Sequence, residues 1–173
     1  MRMNGLKIKY YWVCTFIFNF TLSMVTFTIF YVFGTYVIKL SFFTQTSGIF
    51  MWTLFIGWGI AQIGMTNLVQ IFIGSGKSAT IVGYILSVFS SLLGETIAVA
   101  VYADPLKMPF WLLLYPPFSL CRIIYLMGIA CSSSGCYRSI FHINGEAITC
   151  LLILYAWFFV FLFSIWLNDQ VQQ

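Results

Sequence analysis

The stretch MPFWLLLYPPFSLCRIIYLMGIA, residues 108–130, decides how many times this chain can cross a membrane. It is almost entirely apolar, but Pro116 and Pro117 interrupt it, and each proline removes a backbone donor that a straight helix in lipid needs. The arms on either side, 108–115 and 118–130, reach about 12 and 20 Å at the helical rise, too short to cross a hydrocarbon core of about 30 Å. We therefore predict a re-entrant or interfacial helical hairpin over 108–130, broken at Pro116 and Pro117.

Long uncharged segments lie on both sides of this hairpin. Charged residues make up 7% of the 173 residues and hydrophobic residues 61%, whereas about a quarter of an ordinary soluble domain is charged. This composition excludes a soluble enzyme, a nucleic-acid-binding module and a disordered tail. It predicts an all-α, polytopic membrane helix bundle with four transmembrane spans plus the hairpin. Within a transmembrane domain of residues 10–168, the predicted spans are 10–38, 48–73, 78–102 and 147–168.

Basic residues indicate the orientation of the spans. Arg2, Lys7 and Lys9 precede the first span, and Lys77 falls on the same side, which favours a cytoplasmic N-terminus. Four spans place both ends of the chain on one side. Because four basic residues fall on each side, the orientation depends on the first flank alone. The net charge of +4 is scattered along the chain, so we expect no nucleic-acid partner.

The sequence holds no combination of residues that predicts catalysis. His142 is the single histidine, and neither paired carboxylates nor metal-ligand spacing accompany it. The letters GSGKS at 74–78 resemble a phosphate-binding loop, but Ile71 stands where that loop requires glycine. We expect no catalytic, metal-binding or cofactor-binding residue in this chain, and we interpret GSGKS as a short turn between two spans.

Polar side chains recur at helical spacing in three of the spans. Such faces either join neighbouring helices through hydrogen bonds or line a path for a polar group, and both interpretations remain open. The first stripe is Thr15, Asn19, Ser23 and Thr26, the second is Gln62, Thr66 and Gln70, and the third is Ser87, Ser91 and Glu95. The residues we assign to a candidate substrate groove are Asn19, Ser23, Gln62, Thr66 and Ser91.

One carboxylate lies inside the third predicted span. Glu95 follows Ser78 by about 25 Å of helix, which places it near the outer end of that span. We expect it to form an ion pair with Arg122 and so tie the hairpin to the third span. The alternative is a protonated or water-exposed carboxyl group.

Small residues and cysteines predict two further contacts. Gly57, Ala61 and Gly64 form a ridge on the second span that favours close helix packing. Cys131 and Cys136 flank a polar loop, and a disulfide between them is one option if the loop faces an oxidising compartment. The sequence leaves their redox state open.

Three motifs follow one another along residues 1 to about 167. Met3, Asn4, Gly5 and Leu6, followed by the YW pair at 11–12, match the pattern M-x-G-L…Y/W-W. The segment FIGSGKSATIVG at 72–83 is similar to F-F-S-K-x-K-T-A-x-I-V-G, and YPPFSLCR at 115–122 is similar to F-P-x-F-x-L-x-R. In this order the motifs resemble the membrane domain, of the type-2 permease fold, of the A subfamily of ATP-binding cassette transporters.

The resemblance implies that residues 1–9 form a cytoplasmic coupling segment that docks on an ATP-binding domain, in cis or in trans. The chain then corresponds to the last four of six spans in one transporter half, either as a fragment or as a reduced subunit. Its other partners would be membrane lipids and a second transporter half, with a lipid or another amphipathic substrate moving along a groove between them. ATP and Mg²⁺ are expected only on the partner ATP-binding domain, because this chain lacks GxxxxGK[ST], and the chain is not an enzyme by itself.

A second hypothesis is a stand-alone four-span membrane scaffold or assembly partner without transport activity. A transcript that continues past Gln173 into a strand, a GxxxxGK[ST] loop and a helix would favour the transporter.

Overall fold

The computed structural model describes residues 8–73, 76–102, 106–133, 136 and 145–171, and these residues form helices without any strand among them. The all-α prediction is therefore confirmed. Helix α1 covers Ile8–Val32 and continues as a π-helix, Phe33–Ile38; α2 covers Ser41–Gln45 and α3 Gly48–Ile73. Helix α4 covers Gly76–Thr96 and continues as a second π-helix, Ile97–Val101; α5 covers Phe110–Leu113, α6 Pro116–Ser133 and α7 Gly145–Val171.

Four of the described helices are long and apolar enough to cross a membrane, as the sequence predicts. They are Trp12–Ile38, Gly48–Ile73, Ile81–Val101 and Gly145–Trp166. The second span has the predicted bounds, while α4 and α7 begin two residues earlier than predicted. A helix does not have to end where its apolar segment ends, because polar residues of a terminal turn can remain helical in water. The predicted coupling segment, Met3 to Leu6, and His142 lie outside the described residues.

Helix α3 is the centre of the bundle and packs along α7 through its small residues. A Cβ atom added to Gly57 would lie 3.0 Å from the ring of Tyr155, and one added to Gly64 would lie 3.0 Å from the backbone oxygen of Trp157. Ala61 between them is fully buried. The ridge predicted from the sequence is thus the surface on which the two helices approach most closely.

Helices α1 and α4 both pack on α3. Aromatic rings carry the contacts of α1: the centroids of Phe27 and Phe55 are 5.0 Å apart, and those of Phe16 and Phe161 are 4.9 Å apart. The second contact places the first half of α1 beside the second half of α7. We call this end of the bundle the terminal end and the opposite one, where α7 begins, the hairpin end.

The segment after α1 contains a helix that the sequence did not predict. Residues 39–47 lie between the first two predicted spans, and Ser41–Gln45 forms α2 there. The π-helix before it ends at Lys39, which has a φ of 55°, and the amide of Leu40 donates to the oxygen of Gly34 at 3.1 Å. Phe43 is buried against Gly34, where an added Cβ atom would lie 2.6 Å from its ring. Burial of this one aromatic ring outweighs the polar composition of the segment.

Candidate functional site

The hairpin predicted from residues 108–130 consists of α5, a single turn, and the longer α6. The proline pair does not interrupt a helix but begins one, since α6 starts at Pro116. The first turn of a helix has no internal partners for its amides, so the missing N–H groups of Pro116 and Pro117 leave no hydrogen bond unmade. The amide of Ser119 donates to the oxygen of Tyr115 at 3.3 Å, and its hydroxyl donates to the oxygen of Leu113. These bonds close the tip between the two helices.

Two hydrogen bonds to α7 define how deep the tip lies. The amide of Met108, where the hairpin begins, donates to Glu146 Oε1 at 3.0 Å, in the first turn of α7. At the tip, Trp157 Nε1 donates to the oxygen of Leu114 at 3.1 Å. The eleven residues between Glu146 and Trp157 correspond to about 16 Å of helix. The chain thus enters from the hairpin end, reaches the level of the middle of α7, and returns along α6.

A buried arginine holds this hairpin in place. The side chain of Arg122 is 1% exposed and donates to both carboxylate oxygens of Glu146, from Nε to Oε1 at 2.9 Å and from Nη2 to Oε2 at 3.1 Å. Its Nη2 also donates to the oxygen of Leu106 at 2.7 Å, and its Nη1 donates to the oxygen of Tyr102. The guanidinium carbon lies 5.4 Å from the ring centroid of Tyr125. We call Arg122, Glu146 and the backbone groups of Tyr102, Leu106 and Met108 the hairpin clamp.

The clamp satisfies a charge that would be costly to bury alone. The planar guanidinium binds a carboxylate through two parallel N–H groups and still has donors for two carbonyl oxygens. The carboxylate lies in the first turn of α7, where the unpaired amides of a helix favour a negative charge. The clamp therefore joins three parts of the chain: the segment after α4, the hairpin helix α6 and the beginning of α7.

The predicted pair of Glu95 and Arg122 is wrong, because the partner of Arg122 is Glu146. Gly94 faces α6, and a Cβ atom added there would lie 2.9 Å from the ring of Phe118. Neighbouring residues of a helix point about 100° apart, and the next side chain, Glu95, is exposed.

Glu146 is the residue that the sequence analysis missed. It directly precedes the fourth predicted span, 147–168, and forms part of the first turn of α7. An acidic residue directly before an apolar span is a common helix-start signal. That signal, together with an arginine inside the hairpin that needs a partner, could have identified the pair.

The candidate groove residues remain at the surface of the bundle. Asn19, Thr66 and Ser91 are exposed, and Ser23 and Gln62 are half-buried. Thr66 donates to the oxygen of Gln62 at 2.8 Å, within α3. Helices α1 and α4 both contact α3, which therefore lies between them. None of the five side chains is buried in a helix interface, and their assignment to one groove stays a prediction.

The cysteines that flank the polar loop are bonded to each other. Cys131 in the last turn of α6 forms a disulfide with Cys136, which resolves the alternative that the sequence left open. Among the described residues, no group of three or more histidine, cysteine, aspartate or glutamate side chains could hold a metal ion.

Four helices of membrane-crossing length, with a hairpin that reaches mid-depth, define the class: the chain is a multi-pass integral membrane protein. It is 27% identical over 164 residues to ABC transporter A family member 8 of Arabidopsis thaliana, which covers 89% of this chain and 18% of the relative. It is 28% identical over 102 residues to ABC transporter A family member 9 of Dictyostelium discoideum, covering 59% of this chain and 12% of the relative. It is also 28% identical over 96 residues to member 7 of the same organism, covering 56% and 11%.

These similarities support a membrane segment related to the A family of ABC transporters. The chain spans less than a fifth of the length of these curated relatives. No family model matches the chain, and no solved structure matches it.

Proposed function

We propose that this chain is a permease segment of an ATP-binding cassette transporter of the A type and helps to move a lipid or another amphipathic substrate across a membrane. The observation that carries the proposal is the similarity to an A family transporter along 89% of the chain. The half-depth hairpin before the last span adds support, because it matches the position of the hairpin motif on which the resemblance was first based. An ATP-binding domain, in cis or in trans, supplies ATP hydrolysis, and a second half completes the translocation path.

Residues 1–9 dock on that ATP-binding domain in this proposal. Closure of the nucleotide sites then moves α1, which follows the coupling segment directly. Because α1 packs on α3 through aromatic rings, a displacement of α1 passes to the centre of the bundle. The hairpin moves with α7 as one unit, because the clamp binds it at the hairpin end of the bundle and Trp157 binds its tip.

The polar stripes contact the substrate headgroup. Asn19 and Thr66 are exposed on largely apolar helices, and an amide or hydroxyl in hydrocarbon gains most from a polar partner that replaces water. A lipid headgroup that passes along α1 and α3 provides such a partner, while its acyl chains remain in the surrounding bilayer.

The test is transport by the complete transporter that contains this segment, reconstituted in proteoliposomes. The variants Asn19→Leu and Gln62→Leu should lose most of the lipid transfer and substrate-stimulated ATPase activity, while basal ATPase activity is retained. Val25→Leu is the matched control, because Val25 is 52% exposed and apolar on the same helix as Asn19. Unchanged transfer in both variants would remove the groove from the proposal.

A separate measurement addresses the transporter assignment itself. If the mature protein has the mass of these 173 residues and co-purifies with no ATP-binding domain, the scaffold hypothesis is correct instead.

A further inference from the structure

The disulfide between Cys131 and Cys136 lies where the hairpin ends, and it contacts the segment that follows the first span. The sulfur of Cys136 is 3.7 Å from the backbone oxygen of Ser41 and 3.7 Å from Oε1 of Gln45. The sulfur of Cys131 is 3.9 Å from Oγ1 of Thr46. Both half-cystines thus pack against α2 and the residue after it.

Helix α2 connects the first span to the hairpin. It packs on the π-helix at the end of α1 on one side and on α6 on the other. On the α1 side, the ring centroid of Phe43 lies 5.5 Å from that of Phe30 and 5.8 Å from that of Tyr31. A helix of five residues is not stable without such contacts. Its order therefore depends on the aromatic rings from α1 and on the disulfide from the hairpin.

We propose that the Cys131–Cys136 disulfide is a thiol-sensitive strap that ties the outgoing end of the hairpin to α2, and that a small thiol of the glutathione class releases it. The clamp around Arg122 binds the other parts of the hairpin, so the release is local. Reduction frees the last turn of α6 and loosens α2, whereas α3, α7 and the hairpin tip keep their packing.

The exposure of the two sulfurs gives the order of the exchange. Cys131 is half-buried beside the exposed Ser132, whereas Cys136 is 6% exposed. A thiolate attacks the sulfur of Cys131, the S–S bond breaks, and the electron pair leaves on Cys136, which takes up a proton. A second thiolate attacks the resulting mixed disulfide and releases Cys131. The protein disulfide is reduced to two thiols, and two small thiols are oxidised to their own disulfide.

The experiment uses the full chain in lipid nanodiscs, and its free thiols are counted by alkylation in a denaturing detergent, because the buried Cys150 would not react in the folded protein. Three of the five cysteines, Cys14, Cys121 and Cys150, are free, so the isolated protein should carry three alkyl groups. After titration with reduced glutathione it should carry five. Hydrogen exchange should then show a loss of protection at residues 41–46 and at the end of α6, with unchanged protection in α3.

Two variants accompany the titration. Cys14→Ser removes an exposed free thiol and should keep the full response to glutathione. The double variant Cys131→Ser with Cys136→Ser should lack protection at 41–46 from the start and should not respond to glutathione.

Three results would overturn the strap. The first is alkylation of all five cysteines in the protein as isolated. The second is a disulfide that glutathione opens only after the protein is denatured, and the third is complete reduction without any change in exchange at residues 41–46. The readout involves neither ATP nor a transported substrate, so its failure is distinct from a failure of the transporter proposal.

Discussion

Helix α7 makes two contacts of opposite chemistry, one with α3 and one with the hairpin. Against α3 it packs on the small residues Gly57, Ala61 and Gly64, and a Cβ atom added to Gly64 would lie only 3.0 Å from the backbone oxygen of Trp157. Against the hairpin it uses a buried carboxylate, Glu146, that binds Arg122. The first contact holds two long helices together mainly by shape, with one hydrogen bond from the Tyr155 hydroxyl to the oxygen of Thr53. The second holds a shorter helix by charge and hydrogen bonds.

The two contacts differ because lipid can replace apolar contacts but cannot pair with backbone hydrogen-bonding groups. Two full-length helices have all their backbone groups paired and lose only lipid contacts when they associate, so close packing decides where they meet. Tyr102 and residues 106–108 are not helical, and backbone oxygens there need donors inside the protein. Arg122 provides these donors at two positions. A break in the helix therefore requires a polar clamp, whereas an unbroken helix does not.

The clamp should give the largest effect of any single substitution. Arg122→Leu leaves the largely buried carboxylate of Glu146 without its cation and with only the amide of Met108 as a partner. We expect a loss of about 3–5 kcal/mol in the free energy of unfolding. The double variant Arg122→Leu with Glu146→Leu removes both charges and should be closer to the wild type than either single change. Reversible unfolding in mixed micelles, followed by tryptophan fluorescence, measures all three variants.

Two further variants sharpen this result. Arg122→Lys keeps the charge but has no planar pair of donors, so its stability should lie between those of the wild type and Arg122→Leu. Glu95→Gln is the control, because Glu95 is exposed and Arg122 is bound to Glu146. If Glu95→Gln destabilised the protein as much as Glu146→Gln, the assignment of the clamp would be wrong.

Substitutions in the packed surface between α3 and α7 should lower the free energy of unfolding by less than the loss of the clamp. Gly64→Leu places a side chain against the backbone of Trp157, which can move only with α7, and should cost about 1–3 kcal/mol. Gly128→Leu is the matched control, since nothing lies within 4 Å of a Cβ atom added there. It should leave stability unchanged or raise it, because leucine is a better helix former than glycine by about 1 kcal/mol. Equal thermal midpoints for the two variants would refute packing by shape.

The smallest effect is expected on the outer face of α1. Val25 is 52% exposed, so its side chain contacts lipid and not another helix. Val25→Ala should change the free energy of unfolding by less than about 0.5 kcal/mol. A loss as large as that of Gly64→Leu would mean that another protein surface covers this face of α1.

Much of the architecture could be predicted from local patterns. The four spans follow from long uncharged segments, and the ridge of Gly57, Ala61 and Gly64 follows from helical spacing. The hairpin follows from two prolines in an apolar stretch too short to cross twice. Each of these inferences needs only the chemistry of a segment and its length, because lipid tolerates neither charge nor unpaired backbone.

Other features of the fold could not be predicted from the sequence. The two π-helices, Phe33–Ile38 and Ile97–Val101, leave no compositional sign, since one extra residue in a turn changes no hydropathy. Helix α2 depends on the burial of Phe43 beside Gly34, which no property of residues 41–45 alone indicates.

The sequence alone determined that the chain crosses a membrane four times and turns back once at a proline pair, because these features depend on the transfer of apolar segments into lipid and on the missing proline amides. Only the tertiary structure decided which acid neutralises Arg122. Glu95 and Glu146 both lie toward the hairpin end, but α4 is rotated so that Glu95 is exposed, while the first turn of α7 places Glu146 within 2.9 Å of the guanidinium. Rotation of a helix is set by its packing partners and not by its own composition.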